Sequence, residues 1–215
     1  MGCGISALVG LLLAPHIGSY VLTDQPYVMK LVEQNITENR DTRLDKTAPS
    51  SAVKGKSSAA KGKSRSSHHT SVTEHTSSNQ IQFYPLDWEQ DTATPSLTLS
   101  STARSFDAVI ACDCVYNEAL INPLVSTCVD ICRLRAVEAD STPDEAEPCV
   151  CVIAQQLRDP DIFEAWLTRF TESFHAWRIP DNMLLEGLRS NSGFVVHVGV
   201  VKDAVTLSRD EVASV

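Results

Sequence analysis

Two sets of residues in this 215-residue chain have types and spacings suited to chemistry. The sharper is Asp113 to Tyr116 in "FDAVIACDCVYN", a carboxylate and a phenol three apart where an apolar run stops. A carboxylate at a strand end accepts a hydrogen bond from an amine and leaves the amine's lone pair aimed at an electrophile. The ring and hydroxyl of Tyr116 suit the walls of the same slot. A plainer role also fits, in which Asp113 caps the next helix and Tyr116 packs on it. The second set opens the chain. Gly2 and Gly4 flank Cys3, and Asp24 follows Gly4 by twenty residues, the spacing at which a carboxylate meets a ribose diol beyond a glycine turn. Glycines there let backbone approach a ligand with no Cβ in the way. Asp87-Trp88, at a strand end, offers an edge and a face to an adenine-like base.

The opening residues support other readings. Met1 to Ser6 matches M-G-x-x-x-[ST], the N-myristoylation pattern, with Cys3 free for a second acyl chain. The run Ile5–Ala14 has the apolar character of a short leader, but no basic segment precedes it and no cleavage-like site follows. As a helix it would span about 15 Å, half a bilayer core, so no membrane span is expected. The sequon Asn35-Ile36-Thr37 carries no weight without secretion.

Composition narrows the classes. Hydrophobic residues make up 43% and charged residues 21%, in the range of a soluble globular domain. The net charge is −9, unevenly spread. Residues 41–80 hold seven Lys/Arg against Asp41, Asp45 and Glu74, which leaves the remainder strongly acidic. Nucleic-acid binding by the folded surface is therefore not expected, whereas a basic protein substrate is compatible. The seven cysteines form no C-x-x-C, and no histidine stands at zinc-finger spacing from them. Buried reduced thiols in the cytoplasm, with no metal, are expected.

The elements that must position these residues alternate. An apolar helix over Ser6–Ala14, ended by Pro15 and Gly18, leads to a strand at Ser19–Gln25 and a helix from Pro26 with Val28, Leu31, Val32 and Ile36 on one face. Residues 41–80, rich in Ser, Thr, Lys and Gly, are expected to be a disordered insertion, with His68, His69 and His75 solvated. Strands are predicted at Ile81–Glu89 and Phe106–Cys112, then a helix with Leu120, Leu124, Cys128, Ile131 and Leu134 on one face. A buried strand "CVCVIAQQL" precedes the clearest helix, capped by Asp159 and striped by Phe163, Trp166, Leu167, Phe170 and Phe174. Strands at "AWRIP" and "GFVVHVGVV" close the chain, with His197 a half-buried strand residue. This order predicts an α/β fold on a mainly parallel sheet, whose ligand sites lie at the carboxyl ends of the strands.

The ordered run "GCGISALVGLLLAP…GSYVLTDQ", "QNITEN", "LDWE", "FDAVIACDCVYNEAL" and "SGFVVHVGVV" resembles the seven-β-strand protein-lysine methyltransferases of the methyltransferase-like 21 group, nearest to the fungal ribosomal lysine N-methyltransferase 5 branch. It covers nearly all of the chain outside residues 41–80. The resemblance implies a Rossmann-like class I methyltransferase fold with helices on both faces, in one domain made of residues 1–40 and 81–215. It also implies S-adenosyl-L-methionine as cofactor and a lysine-bearing protein substrate, ribosomal in kind. Gly2, Cys3 and Gly4 would cradle the methionine end of that cofactor, Asp24 its ribose, and Trp88 and Cys112 its adenine. Asp113 and Tyr116 match the family's D-x-x-Y, associated with placing the target lysine. A monomer without membrane attachment is expected. One departure matters: the family's first strand and its acidic residue normally precede the glycines, and here the chain starts at the glycines. The expectation is an N-terminally truncated domain with a gap between the strands ending at Asp24 and Cys112, where unpaired backbone is costly. The alternative, an acylated or degenerate domain that binds a partner without cofactor, stays open at this point.

Overall fold

A computed structural model describes residues 1–44, 81–139 and 147–202. The predicted insertion at 41–80 lies outside the described residues except for its first four, which continue a helix rather than leave it. Helix α1 (Leu8–Leu13) passes through a 3-10 turn at Ala14–His16 into strand β1 (Tyr20–Asp24). Pro26 opens a 3-10 turn that runs into α2 (Met29–Leu44), and β2 (Ile81–Pro85) returns. Then come β3 (Ala108–Cys112), α3 (Ile121–Ala139), β4 (Val150–Gln156), α4 (Pro160–Ser173), β5 (Phe174–Arg178) and β6 (Phe194–Val201). The predicted strand through Trp88 stops at Pro85, and Asp87-Trp88 sit in the turn beyond it.

The strands form two sheets, ordered β2-β1 and β3-β4-β6-β5. β1 pairs β2 in parallel, with Asp24 opposite Pro85, and β3 pairs β4 in parallel, with Cys112 opposite Ala154. β6 runs antiparallel to both β4 and β5, so the sheet is mixed rather than mainly parallel. The apolar pattern marks a strand but carries no direction. Direction follows from the connection: residues 179–193 between β5 and β6 form three 3-10 turns and no α-helix to cross over the sheet, so the chain returns antiparallel to its neighbour.

The gap expected between β1 and β3 is present. Residues 1–3 bridge it at one end, where the Cys3 N–H donates to the Thr23 carbonyl (3.0 Å) and the Met1 amine to the Ile110 carbonyl (2.8 Å). Below that bridge the break leaves a cavity of about 370 Å³ between Tyr20–Val21 of β1 and Ala108–Ile110 of β3, lined by neither Asp113 nor Tyr116. A smaller cavity of about 160 Å³ lies on the α1 side, against Gly10 and Leu22.

Each sheet has its own core. Val28, Val32 and Ile36 pack with Leu11, Ala14, Leu22 and Ile81 over the two-stranded sheet. The larger core joins α3 and α4 to the four-stranded sheet, with Trp166, Phe170 and Phe174 stacked in line at centroid spacings of 5.0 and 4.4 Å. Asp159 caps α4 by accepting from the Asp161 and Ile162 amides, as its sequence predicts. Four thiols meet in this core, Cys128 and Cys132 from α3 with Cys149 and Cys151 from β4. Their spacings, four on a helix and two on a strand, put each pair on one face. Cys149 and Cys151 bond to the α3 sulfurs and are held protonated by those bonds. All seven cysteines are free thiols. Among the described residues no helix is long and apolar enough to cross a membrane.

Candidate active site

The residues singled out from the sequence fall into two groups at the carboxyl ends of β1 and β3, joined by the opening turn. Gly2 and Gly4 both take positive φ, +54° and +57°, the conformation that favours glycine. The Gly4 amide donates to Asp24 Oδ2 and the Gln25 amide to Oδ1, each at 2.8 Å. Asp24 thus fixes the turn, and each of its oxygens keeps a second lone pair for a ligand. A Cβ on Gly4 would meet nothing within 4 Å, so the turn presents open backbone there. Gly2 differs: a Cβ would lie 2.8 Å from Cys114 Sγ and 3.1 Å from the Trp88 ring. Trp88 therefore packs against the turn, with its indole N–H buried and without a protein partner. Burial, then the charge of Asp24, pushes the Cys3 thiol up to about 11, so it stays protonated beside the carboxylate. Cys112 is exposed at the end of β3, and its thiol is likewise raised by partial burial.

One residue beyond Cys112, Asp113 takes φ +57°, a left-handed conformation that aspartate tolerates better than most residues. Its amide donates to the Ala154 carbonyl (2.7 Å), which extends the β3–β4 ladder by one bond and turns the side chain out of the sheet. Gln155 then holds the carboxylate: its Nε2 donates to Asp113 Oδ1 (3.0 Å) and to the Val115 carbonyl (2.9 Å), while its Oε1 accepts from the Val115 amide (3.0 Å). Gln155 is only 3% exposed, so these bonds operate away from water. The other oxygen, Oδ2, accepts from Arg158 at 2.5 Å. Tyr116 stands 59% exposed on the same loop. Asp113 does not cap the next helix. That role falls to Asn117, whose side chain accepts from the Ala119 amide.

Gln155 and Arg158 are absent from the set read off the sequence. Alternation in β4 places Gln155 on the inward face with Cys151 and Ile153, and an amide on that face must find partners. That signal was available. Arg158, in the loop after the strand, carries no such mark. His197, expected to be half-buried, is 6% exposed, opposite Ile153 on the covered face and packed at ring distances of 5.8 and 5.4 Å from Phe163 and Trp166.

Residues 65–138 match the model of a family described as lysine methyltransferase. Over 135 residues the chain is 29% identical to ribosomal lysine N-methyltransferase 5 of Saccharomyces cerevisiae strain YJM789, and equally to that protein in strain RM11-1a. The aligned stretch is 59% of this chain and 37% of the relative, so the chain spans little more than a third of the length of the curated relatives it matches. These findings bear out the resemblance read from the motifs. Among solved structures, a TehB-like SAM-dependent methyltransferase from Corynebacterium glutamicum matches with TM-score 0.44 and 12% identity, covering 94% of this chain and 77% of that one. The CurJ carbon methyltransferase matches with TM-score 0.47 and 13% identity, over 94% and 47%.

Proposed function

We propose that this protein is an S-adenosylmethionine-dependent protein-lysine N-methyltransferase acting on a ribosomal protein. The observation that carries the reading is a pair of strand-end carboxylates on either side of one glycine turn: Asp24 bonds Gly4 of the turn, and Asp113, held by the buried Gln155, precedes Cys114, whose thiol reaches the Met1 carbonyl. The match to lysine methyltransferases and the yeast relative's name supply the substrate class.

The residues present fit the cofactor. Asp24 retains lone pairs for a ribose diol, Gly4 offers backbone with open space over it, and the Trp88 N–H is a buried donor in want of an acceptor. Gly2, Cys3 and Gly4 would hold the methionine end, and Trp88 and Cys112 the base. When bound, S-adenosylmethionine supplies an electrophilic methyl group. The chain's own residues do the rest by positioning. The left-handed turn at Asp113 and the Gln155 bond fix one carboxylate oxygen, so an incoming amine is oriented by its N–H with its lone pair directed away from the acid. Tyr116, on the same loop, offers its ring and hydroxyl beside the approaching amine. No metal takes part in this reading. It includes a single domain interrupted by residues 41–80, acting as a monomer whose folded, acidic surface avoids nucleic acid. The cytoplasm is its proposed location, supported by seven unpaired thiols.

Calorimetric titration with S-adenosylhomocysteine tests the cofactor half. Saturable 1:1 binding, weakened about tenfold or more by Asp24→Ala, is expected. Asp113→Asn keeps that affinity and loses methyl transfer by about a hundredfold or more. Full transfer by Asp113→Asn would remove the carboxylate from its assigned role.

A further inference from the structure

Arg158 has no role in the reading so far, yet it holds half of the central carboxylate. Its Nη2 lies 2.5 Å from Asp113 Oδ2, and its Nε donates to Gln156 Oε1 at 2.9 Å. Two acceptors therefore aim the guanidinium, although the side chain is 59% exposed. The backbone cooperates, because the Arg158 amide bonds to the Gln156 carbonyl (3.0 Å) and turns the chain back over the end of β4. Asp159, next along, is committed to capping α4 and does not compete for the guanidinium. On the other side, Gln155 is neutral, so Arg158 is the one cation bonded to Asp113 among the described residues.

A lysine side chain is an ammonium ion at neutral pH, and an ammonium ion has no lone pair with which to attack. A bare carboxylate would bind that ion well and hold its proton on, which strengthens the ground state without helping the transition state. A carboxylate already paired with a guanidinium offers an incoming ammonium little attraction and a like charge. A neutral amine, in contrast, still finds a hydrogen-bond acceptor there. We propose that Arg158 is a positioning residue that balances the charge of Asp113, so that the slot holds the target lysine as the neutral amine. The inference rests on the reading that Asp113 receives the lysine. In the step it serves, the proton leaves the ammonium for water before attack. The nitrogen lone pair then forms the N–C bond as the S–C bond breaks, its electron pair passing to sulfur, and the second proton lost from nitrogen also goes to water.

The test compares the full-length protein with Arg158→Gln and Arg158→Lys. Transfer of a tritiated methyl group from S-adenosylmethionine to a salt-extracted mixture of ribosomal proteins is measured against substrate concentration. Arg158→Gln leaves Asp113 unbalanced, so KM for the protein substrate and kcat at neutral pH both fall, each by about three- to tenfold. Arg158→Lys restores a cation and returns both constants to within about twofold of wild type. S-adenosylhomocysteine affinity and thermal midpoint stay unchanged in both variants, since an exposed ion pair adds little stability. A structural role predicts a lowered thermal midpoint and no fall in KM. An Arg158→Gln protein with unchanged or raised KM, or with unchanged kcat, overturns the proposal. A wild-type protein that binds the cofactor yet transfers nothing to lysine overturns the underlying reading, and the proposal with it.

Discussion

The two sheets divide the work unequally. The four-stranded sheet carries a continuous core in which three aromatic rings stack and two helices close one face. The two-stranded sheet is covered by α1 and α2 through aliphatic contacts, and both its edges lack a further strand among the described residues, that of β1 facing the break. Two strands alone are marginal in water. The half that carries Asp24 is therefore the weaker, and the half that carries Asp113 the stronger. Asp113, proposed to place the lysine, is prebuilt on the better-packed half. The cofactor-side acid stands on a unit that a ligand bridging Gly4, Asp24 and Cys112 would tie to the rest by mass action.

Substitution in the two cores gives the largest contrast. Trp166→Ala empties the centre of the larger core and costs about 3–5 kcal/mol. Val32→Ala, fully buried in the smaller core, costs about 1–2 kcal/mol. Denaturant titrations check both, and equal costs would break the comparison. Native-state hydrogen exchange sharpens it at intermediate scale: amides of Leu22 and Phe83 exchange through a lower-energy opening than those of Val152 and Val196. S-adenosylhomocysteine should slow the first pair more than the second. Acid supplies the smallest effect. Burial first, and the Arg178 charge second, hold the His197 imidazole below its ordinary value. The unfolded chain then takes up that proton at higher pH than the folded one, so stability falls as pH drops through about 6.5 and below. His197→Asn flattens that slope, and an unaltered slope would remove His197 from the account.

Much of this was legible because pattern and environment agree. β1, β3, β4 and β6 are apolar, β-branched runs, and the stripe Trp166-Phe170-Phe174 on and after α4 reads directly as a buried face. The boundary of α2 was missed because residues 41–44 look polar and loop-like, yet helix propagation needs only backbone bonds once α2 has been nucleated. The antiparallel return of β6 was missed because periodicity fixes a face and not a direction. At the site, Asp113, Tyr116 and Asp24 stood out by type and spacing. Gln155 and Arg158 did not, since their importance comes from a bond across 42 and 45 residues of sequence. Such a partner becomes visible only once β3 and β4 lie side by side.

The left-handed backbone at Asp113 also limits what mutation can do there. Glycine or asparagine satisfies the conformation and discards the charge; glutamate keeps the charge and strains the chain. No single substitution preserves both demands, so almost every drift at this codon is a loss of one or the other. Neighbouring Cys112, exposed and in ordinary extended backbone, meets neither restriction, so of two adjacent positions only Asp113 is held by backbone and charge together.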